Sequence, residues 1–307
     1  MEITVIRAGM LTTVQDLGRR GHRAAGVPLS GAMDAFALRL ANLLVGNAEN
    51  TAALEYTLVG PELEFSAEAI VAACGGDFGA LPLWQPMGVP AGGRVKFGAA
   101  RAGCRGYLAV AGGFEVAPVL GSRSTYGRAA LGGFEGRALR DGDVLQAPEL
   151  SRHVVGRWHI DERIVPVYSA APVVRVVRGA QADEFDEALC TAEFKVTPQS
   201  DRMGVRLTGR AMVRNDASEL VSSTVVPGTI QVPPDGQPIV LMADAQTIGG
   251  YPQVAHVIDV DLPLVAQLRP GDSVRFREVT LAHAHELVLA RERTLAMLHE
   301  GLAEKFR

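Results

Sequence analysis

Short apolar-rich runs dominate the chain. Apolar and polar side chains alternate over residues 3–6, and other short strand-like runs, some of them wholly apolar, recur at 53–57, 62–65, 69–73, 94–97 and 106–110. Bounded by glycine and proline, such runs predict strands, because successive side chains of a strand face opposite sides. The period changes twice. Over residues 34–45, Met33, Ala37, Leu40 or Ala41, and Leu44 fall on one helical face, and Gly46 follows as a stop. Asp34 or Ser30 is the expected cap of that helix. Residues 281–307 form the second helical segment, with Leu281, Val288, Leu295 and Leu302 repeating at seven and Arg291, Glu292 and Arg293 interrupting the stripe. A surface helix packed on its own domain is expected there rather than a partner-binding helix. Residues 9–30 read as turn-rich and basic, with Arg19, Arg20 and Arg23.

A turn and strand late in the chain echo an earlier pair. Gly92-Gly93-Arg94-Val95-Lys96-Phe97 and Gly271-Asp272-Ser273-Val274-Arg275-Phe276 are each a glycine turn feeding an alternating strand. Ser30-Gly31-Ala32-Met33-Asp34 lies about as far upstream of the first copy as Ser200-Asp201-Arg202-Met203-Gly204 lies upstream of the second. Such self-similarity predicts a duplicated domain. Strand patterning lapses between 161 and 172, where Pro166 and Pro172 sit, so the expected division is 1–165 and 166–307.

The 307 residues allow two apolar cores. The 34 glycines and 17 prolines favour many short strands over long helices. A net charge of −4 with both signs dispersed, and no Lys/Arg run, leaves no footprint for nucleic acid. Asp77 and Glu115 break the longest apolar runs, so no membrane span is expected. The start shows no basic segment leading into an apolar one, so no signal peptide is expected. Cys74, Cys104 and Cys190 form no Cys-x-x-Cys pair, which argues against a disulfide framework or a zinc site. They read as reduced, mostly core residues of a cytoplasmic protein. His283 and His285 fall in the expected helix, where a spacing of two splays them apart. His22, His153, His159, His256 and His299 are scattered, so neither a metal site nor a Ser/His/Asp triad is nominated.

Polar chemistry concentrates in a few segments. Residues 228–251 read as strand, tight turn, strand and glycine turn, with Pro234-Asp235-Gly236 as the turn signature and 239–242 as the second strand. Gln231, Asp235, Gln237, Asp244, Gln246 and Thr247 crowd around the two turns, where binding groups usually sit. Ser200-Asp201-Arg202-Met203-Gly204-Val205-Arg206 sets a hydroxyl, a carboxylate and two guanidiniums in one loop and strand start. Its arginines suit a carboxylate or phosphate, and an internal Asp-Arg pair closing a turn fits equally well. Gly121-Ser122-Arg123-Ser124-Thr125-Tyr126-Gly127-Arg128 suits an anion, with a solvated loop as the better expectation. The 30–34 segment is either a helix cap or an anion site at a helix start. There is no phosphate-binding P-loop, and Gly75-Gly76-Asp77-Phe78-Gly79 reads as a turn between strands.

These segments together resemble the KipA family, also called the PxpC family (the C subunit of 5-oxoprolinase), allophanate hydrolase subunit 2, or the biotin-dependent carboxyltransferase family. The resemblance rests on Thr12-Thr-Val-Gln-Asp16-Leu-Gly-Arg19, Gly26-Val-Pro-Leu-Ser-Gly-Ala-Met-Asp34, Ala41-Asn-Leu-Leu-Val-Gly-Asn47 and Leu120-Gly-Ser-Arg-Ser-Thr125. Ser200-Asp-Arg-Met-Gly204, Gln231-Val-Pro-Pro-Asp-Gly-Gln-Pro238 and Gln246-Thr-Ile-Gly-Gly-Tyr-Pro252 complete the set, so it runs nearly end to end. Val205 replaces the aromatic residue associated with that position, which bears on local pocket shape.

The resemblance implies a mainly β fold of two tandem cyclophilin-like β-barrel domains with a few short helices. It implies a hydrolase component that works with a KipI (PxpB)-family partner and a PxpA-type subunit. Together they open 5-oxoproline to L-glutamate using ATP with Mg2+, and the chain is expected to be inactive alone. The alternative is a biotin-dependent carboxyltransferase acting on urea or a related amide, although the chain carries no Met-Lys-Met biotin-attachment sequence and no ATP-grasp half. A third reading is a regulatory binding protein of the KipA type. On residue chemistry and family motifs, Asp201, Arg202 and Asp235 are the catalytic candidates, with Arg202 and Arg206 for anionic groups and the two aspartates for orienting substrate or magnesium. Ser200, Gln231, Gln237, Gln246, Thr247, Gly249, Gly250 and Tyr251 are the substrate-binding candidates of the second domain. Ser30, Asp34 and Arg123 are those of the first, as a matching site or a partner surface.

Overall fold

A computed structural model of the protein describes residues 1–149, 158–216 and 218–306; His153 lies outside them. The chain forms two compact units. One comprises Met1–Arg20, Ser30–Pro166 and Thr294–Arg307, and the other Gly21–Leu29 and Val167–Arg293.

The first unit holds two antiparallel sheets. One has strand order Arg94–Lys96, Glu62–Phe65, Glu2–Arg7, Val144–Gln146. The other runs Leu11–Gln15, Ala53–Thr57, Ala102–Val110, Ala69–Asp77, Pro86–Val89. Alternation decides which side chains enter the core: Ile3 and Val5 are buried, as are Leu63 and Phe65 on the paired strand. They join Val14, Leu54, Tyr56, Val71 and Leu108 of the larger sheet in one apolar cluster. That sheet buries a second set, Ile70, Ala72, Cys74, Tyr107 and Ala109, with the helix Ala35–Leu44. Being covered on both faces, the sheet's central strands read as nearly continuous apolar runs.

Asp34, not Ser30, caps this helix, its Oδ1 accepting from Ala37 N at 2.9 Å. Gly46 follows the helix with φ of 77°, a left-handed conformation that glycine adopts without strain. Residues 75–79 are not a simple turn. Gly75 and Gly76 lie inside Ala69–Asp77, where the pairing with Ala102–Val110 shifts register, so they mark a bulge. A strand also occupies Leu11–Gln15 within the segment expected to be turn-rich.

The second unit is a closed barrel of seven strands. In order these are Val173–Arg178, Gln253–Val257, Thr229–Gln231, Ile239–Leu241, Gly204–Thr208, Glu193–Val196 and Ser273–Glu278, the last returning to the first in parallel. Val174, Val176, Phe194, Val196, Val274 and Phe276 point inward, while Glu193, Lys195 and Arg275 between them are exposed. Closure removes free edges. The fold is therefore mainly β, with one long helix, Leu281–Ala303, of 23 residues. Its Leu295 and Leu302 are buried in the first unit's helix-side cluster. Among the described residues no helix is long and apolar enough to cross a membrane.

One ion pair sets an acid sensitivity. Arg137 grips Asp143 with two bonds, Nη1 to Oδ2 at 2.7 Å and Nη2 to Oδ1 at 2.9 Å. The hydrogen bond from Arg137 holds the Asp143 carboxyl below its usual value. A carboxyl depressed by folding contributes stability above its unfolded pKa, and that contribution is lost as pH falls through the folded value. The melting-temperature gap between wild type and Asp143→Asn should therefore be widest at neutral pH and shrink in acid. A gap that stays constant in calorimetric scans across that range would exclude this role.

Candidate functional site

In the second unit the register places four side chains in one row. Arg206 pairs with Ile239, Ile239 with Gln231, and Gln231 with Gln253. Their neighbours Val205, Val240, Ile230 and Ala255 fill the barrel, so this row lies on the outer face. Gln231 and Gln253 are nevertheless 1% and 7% exposed. A small two-stranded sheet, Ser223–Thr224 against Ile248–Gly249, explains this. Gln253 Nε2 donates to Ser223 Oγ at 2.8 Å and to Thr224 O at 3.1 Å. Gln231 Nε2 donates to Tyr251 O at 3.2 Å, and Gln231 Oε1 accepts from Gln246 Nε2 at 3.4 Å. Gly249 is needed here: a Cβ on it would come within 2.7 Å of Gln231 Nε2. Gly250 lies beside it, Thr247 is buried and Tyr251 is about half exposed. The structure thus brings together Arg206, Gln231, Gln246, Gly249 and Tyr251. Val205 is a core residue opposite Val240, so its size acts on barrel packing.

Arg202 is placed differently. Its Nε and Nη2 donate to the two oxygens of Asp244 at 2.9 and 3.2 Å, with both side chains about nine-tenths buried. Backbone bonds run alongside, Asp244 N to Arg202 O and Met242 N to Met203 O. The pair therefore clamps the start of Gly204–Thr208 to the loop that leaves Ile239–Leu241. Asp201 does not pair with Arg202: its Oδ1 accepts from Met203 N and Gly204 N, closing its own turn. Ser200 Oγ likewise accepts from Arg206 N at 3.0 Å. Asp235 closes another turn by accepting from Gln237 N, and Gln237 Oε1 accepts from Gly209 N. Asp201 and Asp235 sit on separate turns, where each accepts from its own backbone. Among the described residues no group of three or more His, Cys, Asp or Glu could hold a metal ion.

In the first unit the unexpected centre is Asp16, which is 1% exposed. Its Oδ1 accepts from Gly18 N, Ser122 Oγ and Ser124 Oγ, and its Oδ2 from Arg123 N at 2.6 Å. Ser122, Ser124 and Thr125 are buried while Gly121, Arg123, Gly127 and Arg128 are exposed, so the solvated-loop expectation for 121–128 holds only in part. Arg123 keeps its side chain exposed. Ser30 is buried at φ of 54°, and its hydroxyl has no hydrogen-bond partner among the described residues. Asp34 is spent on the helix cap, with its own N–H on Tyr107 Oη at 2.8 Å. Glu55 Oε2 holds the same phenol at 2.7 Å and accepts from Met33 N. Burial, with the nearby Glu55 and Asp34 charges, pushes the Tyr107 pKa well up, so this phenol stays a neutral structural donor.

Residues 25–278 match the family described as carboxyltransferase domain, subdomain A and B. The chain belongs to that family. It is 40% identical to the C subunit of 5-oxoprolinase from Escherichia coli (strain K12), over 92% of this chain and 93% of that one. The corresponding C subunit of 5-oxoprolinase from Haemophilus influenzae is 37% identical over 99% of each. Among solved structures, the Kluyveromyces lactis urea carboxylase superposes with a TM-score of 0.90 at 32% identity. That match covers 98% of this chain and 29% of that longer one.

Within this family fold, Asp16 and Gln253 carry weight that no local pattern assigns to them, and Asp244, one of the polar residues crowded around the two turns, is tied to Arg202. Asp16 reaches Ser122, Arg123 and Ser124, 106–108 positions away, and Asp244 reaches Arg202, 42 positions away. No local spacing rule connects such pairs. Gln253 follows a glycine turn and a proline at a strand start, where a buried amide is not expected.

Proposed function

We propose that this chain is the C subunit of an ATP-dependent 5-oxoprolinase, opening 5-oxoproline to L-glutamate with KipI (PxpB)-type and PxpA-type partners. The observation that carries this is the 40% identity to a C subunit of 5-oxoprolinase, spread over nearly all of both chains. Three free cysteines fit a reducing, cytoplasmic setting.

A lactam amide is a weak electrophile, and phosphorylating its oxygen makes the carbon open to water. Catalysis of that kind is mostly positioning and charge neutralisation. On this reading the exposed Gln246 carboxamide, held in place by the buried Gln231, hydrogen-bonds the lactam amide beside Gly249 and Gly250, with Thr247 and Tyr251 framing the place. Arg206, at the end of the same row, meets an anionic group. Arg202 acts as a positioning residue by fixing the 242–252 loop through Asp244. Asp201, Ser200, Asp235 and Gln237 hold the flanking turns. ATP and magnesium bind in the assembled complex.

The test is 5-oxoproline-dependent ATP hydrolysis by the three chains together, each left out in turn. ADP and glutamate that appear only with this chain present support the reading. A well-formed complex without turnover overturns it. The weight then moves to carboxyl transfer, which the superposition on a urea carboxylase favours; bicarbonate and a biotinylated carrier are the next additions.

Gly249→Ala separates the amide grip from stability. The new Cβ displaces the Gln231 carboxamide, so about 1 kcal/mol of stability is lost with its hydrogen bond. Turnover in the complex should fall about tenfold or more, since that shift removes a positioned donor. Unchanged kcat and KM in this variant would remove Gln231 from the site.

A further inference from the structure

A groove of about 640 Å3 in the first unit is lined by Asn50, Thr51, Phe114, Glu115, Val116 and Arg123, among others. Its cation is held in place from backbone and side chain together. The Arg123 backbone N–H sits on the buried Asp16 carboxylate at 2.6 Å, and Nε donates to Val116 O at 3.0 Å. Ser122 and Ser124 on either side are buried on the same carboxylate. The guanidinium plane is thereby fixed, and neither Nη donates to any described residue. No carboxylate among the described residues pairs with it. Two parallel donors on a fixed plane match the two oxygens of a carboxylate.

The other linings narrow the ligand. Asn50 Oδ1 accepts from Leu17 N at 2.8 Å, which turns its Nδ2 into the remaining group and makes it a second donor. Glu115 is exposed on the same groove and supplies the one acceptor of full charge. Phe114, Val116 and the alanines at 48 and 52 supply apolar wall. One unpaired guanidinium with one carboxylate nearby suits a monoanion carrying an N–H better than a dianionic phosphate.

We propose that this groove is a binding site for a small carboxylic acid bearing an N–H group, its carboxylate on the Arg123 fork and its N–H toward Glu115. The site stands on the groove alone and does not depend on the oxoprolinase reading. If both hold, 5-oxoproline and L-glutamate are acids of this class.

The test is a titration of the full chain with 5-oxoproline, L-glutamate, propionate and inorganic phosphate at constant ionic strength, followed by backbone amide shifts. Saturable shifts at Asn50, Thr51 and Arg123 with 5-oxoproline or L-glutamate are expected. Arg123→Gln should weaken binding by about 10- to 100-fold, the loss of a charge-assisted hydrogen bond. Asn50→Asp keeps the acceptor for Leu17 N and places a negative charge in the groove, so it should also abolish the shifts while the remaining spectrum is retained. Glu115→Gln should weaken the acids that carry an N–H and leave propionate unchanged. Equal affinity in wild type and Arg123→Gln, preference for inorganic phosphate, or no saturable shift up to the solubility of the acids each overturns the proposal.

Discussion

Asp16→Ala is expected to lower the stability of the first unit by about 4 kcal/mol, since it strands several buried donors at once. The carboxylate accepts from two backbone N–H groups and two serine hydroxyls in addition to sitting 1% exposed. Alanine leaves the N–H groups of Gly18 and Arg123 and the hydroxyls of Ser122 and Ser124 without that acceptor. Asp16→Asn keeps one oxygen but turns an amide N–H toward one of the donors, so a loss of about 2 kcal/mol is expected from one opposed contact. Urea unfolding followed in the first unit measures both. A loss under about 1 kcal/mol for the alanine variant would mean the loop is held by other contacts. The same variant should disturb the Arg123 groove, because the arginine's backbone is anchored on that carboxylate.

This network also marks where sequence reading stops. Strands 53–57 and 62–65 were legible because glycine, proline or acidic turns bound them and their apolar residues recur at strand spacing. The helix 35–44 was legible from its period, and its capping aspartate was one of two named. The strand Leu11–Gln15 was not. Thr12, Thr13 and Gln15 are all buried, so both faces are covered and polar residues sit where alternation would place apolar ones. Glycine misled at 75–76. There the absence of a Cβ serves a close backbone approach, with Gly76 facing Ala102 O at 2.8 Å from where a Cβ would stand, rather than a chain reversal.

The site was legible to a different depth. Local crowding singles out Gln231 and Gln246, and the family motif adds Gly249 and Tyr251; they meet because the loop and small sheet that carry Gln246, Gly249 and Tyr251 fold over the barrel strand that carries Gln231. Asp235 and Gln237 were nominated on the same grounds and lie on a turn that serves its own backbone and Gly209. Sequence distance cannot separate these two outcomes; strand register does. Gln231 shares a rung with Arg206 and Gln253, whereas Asp235 lies beyond the last paired residue of its hairpin.

Register also makes the Arg202–Asp244 clamp the sharpest test of structure against chemistry. Asp244→Ala removes the carboxylate from a nine-tenths buried guanidinium, and a loss of about 3–5 kcal/mol is expected in the second unit. Replacing both partners by apolar residues of similar volume, Arg202→Met with Asp244→Leu, should recover most of that loss, since a buried ion pair is stabilised little beyond its desolvation cost. The paired variant then answers a question neither single variant can. If it melts near wild type and supports 5-oxoproline-dependent ATP hydrolysis in the complex, the clamp only holds the 242–252 loop. If it melts near wild type and turnover is lost, the charges themselves act on the substrate, and Arg202 is a catalytic residue rather than a positioning one. A paired variant as unstable as Asp244→Ala would mean that further contacts of Arg202, beyond this carboxylate, carry the fold at that corner.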